Sequence, residues 1–279
     1  MTARLIVNAD DFGLTPGVSE GIVEAHLHGI VTSTSVMMNR PNAARSIQET
    51  QETCPRLGMG VHLVLTVGAP LLPPAQVPSL VQPNGQFLSL DALIQNIDRL
   101  DIAEVIAELR AQIERFVQIS GHSPDHLDTH HHTAYFAPHL FEVLCQLAAE
   151  LDCPIRLPFS SDPSLLTDYL KPSNAPGHAA QIQAILAEYH PRHPDVFIVD
   201  WYGNGATREN LLANLAQIAT HQVDLVYELM CHPAHVDNAL LEISSYTTQR
   251  VRERLLLQDP DILAYIETAG IELIPFSKL

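Results

Sequence analysis

A chain of 279 residues with 46% hydrophobic content has enough apolar material for one sizeable core, and no stretch of it reads as low-complexity or disordered. Its formal net charge of −17 comes without any basic cluster able to neutralise phosphates, which argues against nucleic acid and against an anionic membrane surface. No apolar run approaches the ~20 residues of a membrane span, and no basic segment leads into a long apolar stretch, so a cytoplasmic protein is expected.

In chain order, apolar β-branched runs alternate with segments of helical spacing. Strands are expected near residues 5–8, 34–38, 58–64, 126–129, 155–157, 196–200, 225–230 and 271–275. Helices are expected over 18–28, 43–52, 102–119, 138–151, 179–189, 209–221, 247–257 and 261–268. The clearest of these carries Ile102, Val105, Ile106, Leu109, Ile113 and Val117 as an apolar stripe. Repeated strand–helix alternation predicts parallel strands with helical crossovers, hence an α/β fold, and about eight strands would suit a barrel. Three stretches break the rhythm, 67–87, 159–177 and 231–245, and read as walls or lids of a binding site. With no repeat and no linker, residues 1–279 are read as one domain.

The four cysteines are scattered without a CxxC pair, and Cys145 and Cys153, in apolar surroundings, read as reduced core residues. The 15 histidines equal Lys and Arg combined, and several sit in short motifs. NADD closes the first expected strand with Asp10 and Asp11, adjacent carboxylates that repel unless a cation or a shared proton offsets the cost. GVHLVLT carries His62 near the end of the third strand, and HLDTHHH carries Asp128, His130, His131 and His132 at the end of the fourth. On an extended segment Asp128, His130 and His132 would share one face, with His131 on the other. ELMCHPAHVDN places Glu228 in the seventh strand and His232 just after it.

All four motifs fall at carboxyl ends of expected parallel strands, the edge where barrels and open α/β sheets assemble active sites. One carboxylate with two imidazoles is a common set for a single divalent ion, with Zn²⁺ and Mg²⁺ the first candidates and Mn²⁺ and Co²⁺ behind them. If Asp11 binds it, Asp10 stays free as a base, and His232 across the site can protonate a departing amine. These parts suit a hydrolase of an amide or ester. No Gly-rich phosphate cradle and no GxSxG is present. The rivals are a metal-dependent hydrolase of another bond, in a phosphoester, for which Arg156 is the obvious cation, or in another acylated small molecule, and a metal-dependent sugar-binding protein without turnover.

LIVNADDFG, GIVTSTS, GVHLVLT, HLDTHHH and ELMCHPAHVDN, in that order over nearly the whole chain, resemble the YdjC-like carbohydrate deacetylases, and the chitooligosaccharide deacetylases most closely. The resemblance implies a distorted (β/α) TIM-like barrel of parallel strands related to the NodB-type polysaccharide deacetylases. It also implies one divalent metal ion, removal of acetyl groups from small N-acetylated sugars such as chitooligosaccharides, and a homodimer. By motif, it implies His62 and His130 as metal ligands with Asp11 as the third, Asp10 as catalytic base and His232 as acid. Arg156, in PIRLP, resembles an arginine that orients the catalytic aspartate, and His132 and Glu228 join it as support or substrate-binding residues.

Overall fold

A computed structural model describes residues 3–158, 178–220 and 224–279; the expected wall at 159–177 lies outside the described residues. The chain runs β1 (Arg4–Phe12), α1 (Pro16–Leu27), β2 (Ser33–Val36), α2 (Ala43–Thr53), β3 (Gly58–Leu63), α3 (Leu90–Gln95), α4 (Ile102–Ser120) and β4 (Leu127–Thr129). It continues through α5 (Pro138–Leu151), α6 (His178–Tyr189), β5 (Val196–Ile198), α7 (Arg208–Thr220) and β6 (Val226–Cys231). Then come α8 (Asn238–Ile243), α9 (Thr248–Leu257), α10 (Pro260–Ala269) and β7 (Glu272–Leu273).

Seven strands form one sheet in the order β4-β3-β2-β1-β6-β5, with β7 paired to the start of β1, and every pairing is parallel. Helices cover the outside, so strands such as β1 are buried along nearly their whole length rather than on alternate residues. The sheet is strongly curled. Ile155 bridges Leu127 of β4, so on a flat sheet it would lie five strand spacings, ~24 Å, from β6. Yet Arg156 Nε lies 2.7 Å from Glu228 Oε1 on β6, which requires the sheet to curl round as a half-barrel. The α/β barrel-like architecture is therefore the one expected, with one strand fewer among the described residues.

Residues 155–157 were expected as a strand and make a single bridge instead. Pro154 and Pro158 bracket them, and a ladder cannot run through residues without an N–H. In α4, Val105, Leu109, Ile113 and Phe116 are buried while Val117, placed in the stripe, is 37% exposed. The 3.6-residue period drifts the inward face back by one position at the fourth turn. Asp101 caps the start of α4, and Gly121, with φ of 78°, ends it. The expected wall at 67–87 lies against this helix: Glu108 accepts the N–H groups of Leu71 and Leu72 at 2.9 and 3.0 Å, and Glu104 that of Ser79 at 2.7 Å. The third irregular stretch, 231–245, contains α8.

Candidate metal centre and active site

The first strand runs on past the point where the acids were expected to end it. Between Ala9 and Phe12 its pairing with β2 slips, two residues facing one, and Asp11 takes a left-handed φ of 71°. This bulge is what brings both acids inward: on a regular strand Asp10 and Asp11 would face opposite sides. Aspartate is among the few residues that accept that conformation.

Asp11 Oδ1 lies 3.0 Å from His130 Nδ1 and 3.5 Å from His62 Nε2, and the two imidazole nitrogens are 3.3 Å apart. Donor atoms held ~2.1 Å from one ion stand about 3.0 Å apart at right angles and about 3.4 Å apart at the tetrahedral angle. The triangle has the size of a metal-ligand face. Asp11 Oδ1 is buried and has no hydrogen bond in good geometry, the condition of an oxygen that a cation would satisfy.

Each donor is aimed from behind. His62 Nδ1 donates to Asp128 Oδ1 at 2.7 Å, since an ionised carboxylate can only accept, and this turns Nε2 toward Asp11. Asp128 is fixed by Ser35 Oγ at 2.9 Å and by Arg156 Nη1 at 3.0 Å. Asp11 Oδ2 accepts from Arg250 Nη2 at 2.5 Å, leaving Oδ1 toward the imidazoles. A second acidic set, Asp10, His62 and Asp128, also lies within ligand range. There the Arg156 guanidinium, 2.7 Å from Asp10 and 3.0 Å from Asp128, already supplies the cation.

The histidine run does not alternate as an extended segment would. β4 stops at Thr129, and His130–Tyr135 is a tight turn with left-handed backbone at His131 and His132, φ 55° at each. The three rings therefore part. His130 joins the donor triangle. His131 stacks on His130 with centroids 3.9 Å apart and meets Thr66 Oγ1 at 3.0 Å. His132 is buried toward Tyr135 and Phe197, each 6.0 Å away between centroids, and burial pushes its imidazole down to about 3.

Facing the triangle stand Asp10 and His232. Arg156, fully buried, donates to both oxygens of Asp10 at 2.7 Å and through Nε to Glu228. Burial alone would raise the Asp10 pKa, but the guanidinium outweighs it and holds the carboxyl well below the usual range. Glu228 goes the other way, burial lifting it to about 7 against the pull of Arg156. His232 follows β6, with Nε2 4.0 Å from Asp10 Oδ2, and burial holds its pKa down to about 4. His62 is the opposite case: the acids around it, Asp128 first, overcome burial and raise it to about 9. That proton sits where a cation would, because the same acids favour either.

Two groups were not anticipated. Arg250 and Glu253 lie three residues apart on α9, at 4% and 0% exposure, and Glu253 accepts the backbone N–H of His232 at 2.5 Å. Within QRVRERL they look like the solvent face of a polar helix, and only their burial in the fold separates them from their neighbours.

The family model of YdjC-like proteins matches residues 4–268. A carbohydrate deacetylase of Geobacillus stearothermophilus is 38% identical over 278 residues, covering 100% of this chain and 98% of its own. A chitooligosaccharide deacetylase of Proteus mirabilis is 34% identical over 279 residues, 100% of each chain. The crystal structure of a candidate cellobiose-phosphate cleavage protein from Enterococcus faecalis superposes with a TM-score of 0.86 at 31% identity, covering 100% of this chain and 99% of that one.

Proposed function

Because the chain belongs to the YdjC-like protein family, we propose that it is a metal-dependent deacetylase that removes acetyl groups from small N-acetylated sugars, chitooligosaccharides among them. The observation that carries this reading is the opposition of two sets of groups at one site. Asp11, His62 and His130 form a donor triangle, and Asp10 and His232 face it only 4.0 Å from each other.

Asp11 Oδ1, His62 Nε2 and His130 Nδ1 would hold the cation. Bound there, a divalent ion supplies a Lewis acid for the acetyl carbonyl and brings the pKa of a water near neutrality. Asp10, kept ionised and oriented by Arg156, takes the proton of the attacking water as its oxygen adds to the carbonyl carbon. His232 stands within one short step of Asp10, so that proton can pass to the imidazole and on to the nitrogen as the C–N bond breaks. An imidazole held down to about 4 is a strong acid once protonated, which suits donation to the departing amine. Acetate and the free amino sugar leave. The phosphoester alternative relied on Arg156, and all three nitrogens of that guanidinium donate to carboxylates.

The test is acetate release from di-N-acetylchitobiose by purified protein, after chelation and after addition of Mg²⁺, Mn²⁺, Co²⁺ or Zn²⁺ in turn. Release that vanishes with chelator and returns with one of these ions is expected. No release with any of them overturns the reading.

A further inference from the structure

The aromatic pair beside His232 takes no part in the steps above. Tyr202 lines the same cavity as Asp10, His130 and His232, and 37% of its surface is exposed. The other exposed large hydrophobics among the described residues, Leu27, Val117, Leu241, Ile243 and Leu255, lie on helices outside that cavity.

Tyr202 adds little to the core, yet its orientation is tightly set. Its ring stacks on Tyr246 with centroids 4.7 Å apart and planes 3° from parallel. The Tyr246 hydroxyl donates to Glu253 and accepts the N–H of Gly203 at 2.9 Å, which also ties down the residue after Tyr202. Arg250 Nε donates to the Tyr246 carbonyl at 3.0 Å, and its guanidinium lies 5.7 Å from that ring's centre. Glu253 uses its other oxygen for the backbone N–H of His232, so one buried carboxylate aligns the aromatic pair with the imidazole. The Tyr202 and His232 rings meet edge to face, 5.5 Å apart. Such preorganisation of an exposed aromatic makes sense for a ligand rather than for stability.

We propose that Tyr202, held by Tyr246 and Glu253, is the stacking wall of a pyranose subsite and receives the ring that carries the departing amine. The ligand class rests on the deacetylase reading; the wall itself rests on the geometry. A pyranose presents a face of C–H groups whose partial positive charge meets the negative face of an aromatic ring, while its hydroxyls stay at the edge in water. The ring's place beside His232 puts the sugar nitrogen near the proposed proton donor.

Trp201, the chain's single tryptophan, is buried next to Tyr202 and donates from Nε1 to the Thr207 carbonyl at 3.0 Å, so its fluorescence can report on the subsite. The experiment titrates the full-length protein with di-N-acetylchitobiose in the presence of chelator, read by fluorescence and by calorimetry. Tyr202→Ala is expected to bind about tenfold more weakly, and Tyr202→Phe, which keeps the stacking face, within about twofold of wild type, with far-UV circular dichroism unchanged. Equal affinity of Tyr202→Ala and wild type overturns the proposal, as does the absence of sugar binding in wild type. Binding that depends on Tyr202 in a protein releasing no acetate keeps the subsite and discards the deacetylase reading. Acetate release with an unchanged KM in Tyr202→Ala does the reverse.

Discussion

The two halves of the chain contribute differently to the site. The donor triangle of Asp11, His62 and His130 comes from the first half, and the two arginines buried among the described residues, Arg156 and Arg250, come from the second. The donors hang from β1, β3 and the end of β4, strands linked edge to edge through β2, so backbone hydrogen bonds set their spacing. The arginines arrive by side-chain reach, across 146 residues to Asp10 and 239 to Asp11. Position is supplied by the sheet, and charge balance by tertiary packing.

Removing a donor is the strongest way to test that division. His62→Ala deletes one corner of the triangle and takes the imidazole from Asp128 Oδ1, while Ser35 and Arg156 keep Oδ2. Metal binding by calorimetry should be lost and acetate release should fall by about 10³-fold or more, with the fold intact by circular dichroism. A variant that still bound metal tightly would place the ion elsewhere.

Removing an arginine should damage the fold as well. Arg156 neutralises Asp10, Asp128 and Glu228 in a fully buried setting, and breaking such a pair costs about 3–5 kcal/mol because the partner charges stay behind. Arg156→Met should therefore lower the melting temperature by roughly 10 °C and abolish turnover. Arg156→Lys should recover only part of either loss, since a point charge cannot replace the planar fork on Asp10. If Arg156→Met melts like wild type, the charge balance does not depend on that residue.

The same division explains what could be read in advance. Strand ends carrying Asp10, Asp11, His62, His130 and His232 follow from short apolar runs and the parallel-sheet rule, both local in sequence. The bulge that turns Asp11 inward, and the left-handed backbone at His131 and His132, leave no comparable mark, because none of these residues is a glycine. α3 and α8, six residues each, are too short to show a period, although Ser89 and Asp237 are ordinary capping residues at their starts. Arg250 is legible only through burial, because its partner lies at the other end of the chain.

Arg250 sharpens the comparison with a smaller effect. It would act on a cation only through Asp11, since it occupies Oδ2 and leaves Oδ1 turned toward the imidazoles. Arg250→Lys keeps the charge and loses the fork. A groups-behind-the-ligand role predicts metal affinity about 10- to 100-fold weaker, measured by calorimetry, with a melting temperature near that of wild type. Unchanged affinity would reduce Arg250 to a packing residue.

The gentlest probe is pH, and it reads the proton on His62. In the metal-free protein the surrounding acids raise this imidazole from 6.5 to about 9, so at neutral pH a cation must displace its proton. Asp10, Asp11 and Asp128 are all held below the usual carboxylate range, so they stay ionised and bind no competing proton there. Apparent metal affinity should rise about tenfold per pH unit from 7 to near 9 and then level off. The metal-free fold should move the other way, because a raised histidine pKa contributes stability that is complete below about 6.5 and is lost as pH climbs through about 9. The gap between melting temperatures with and without metal should therefore widen as pH rises. A gap that is flat from pH 7 to 9 would mean that His62 carries no displaceable proton, and that the first half of the chain does not supply the centre in the way its geometry implies.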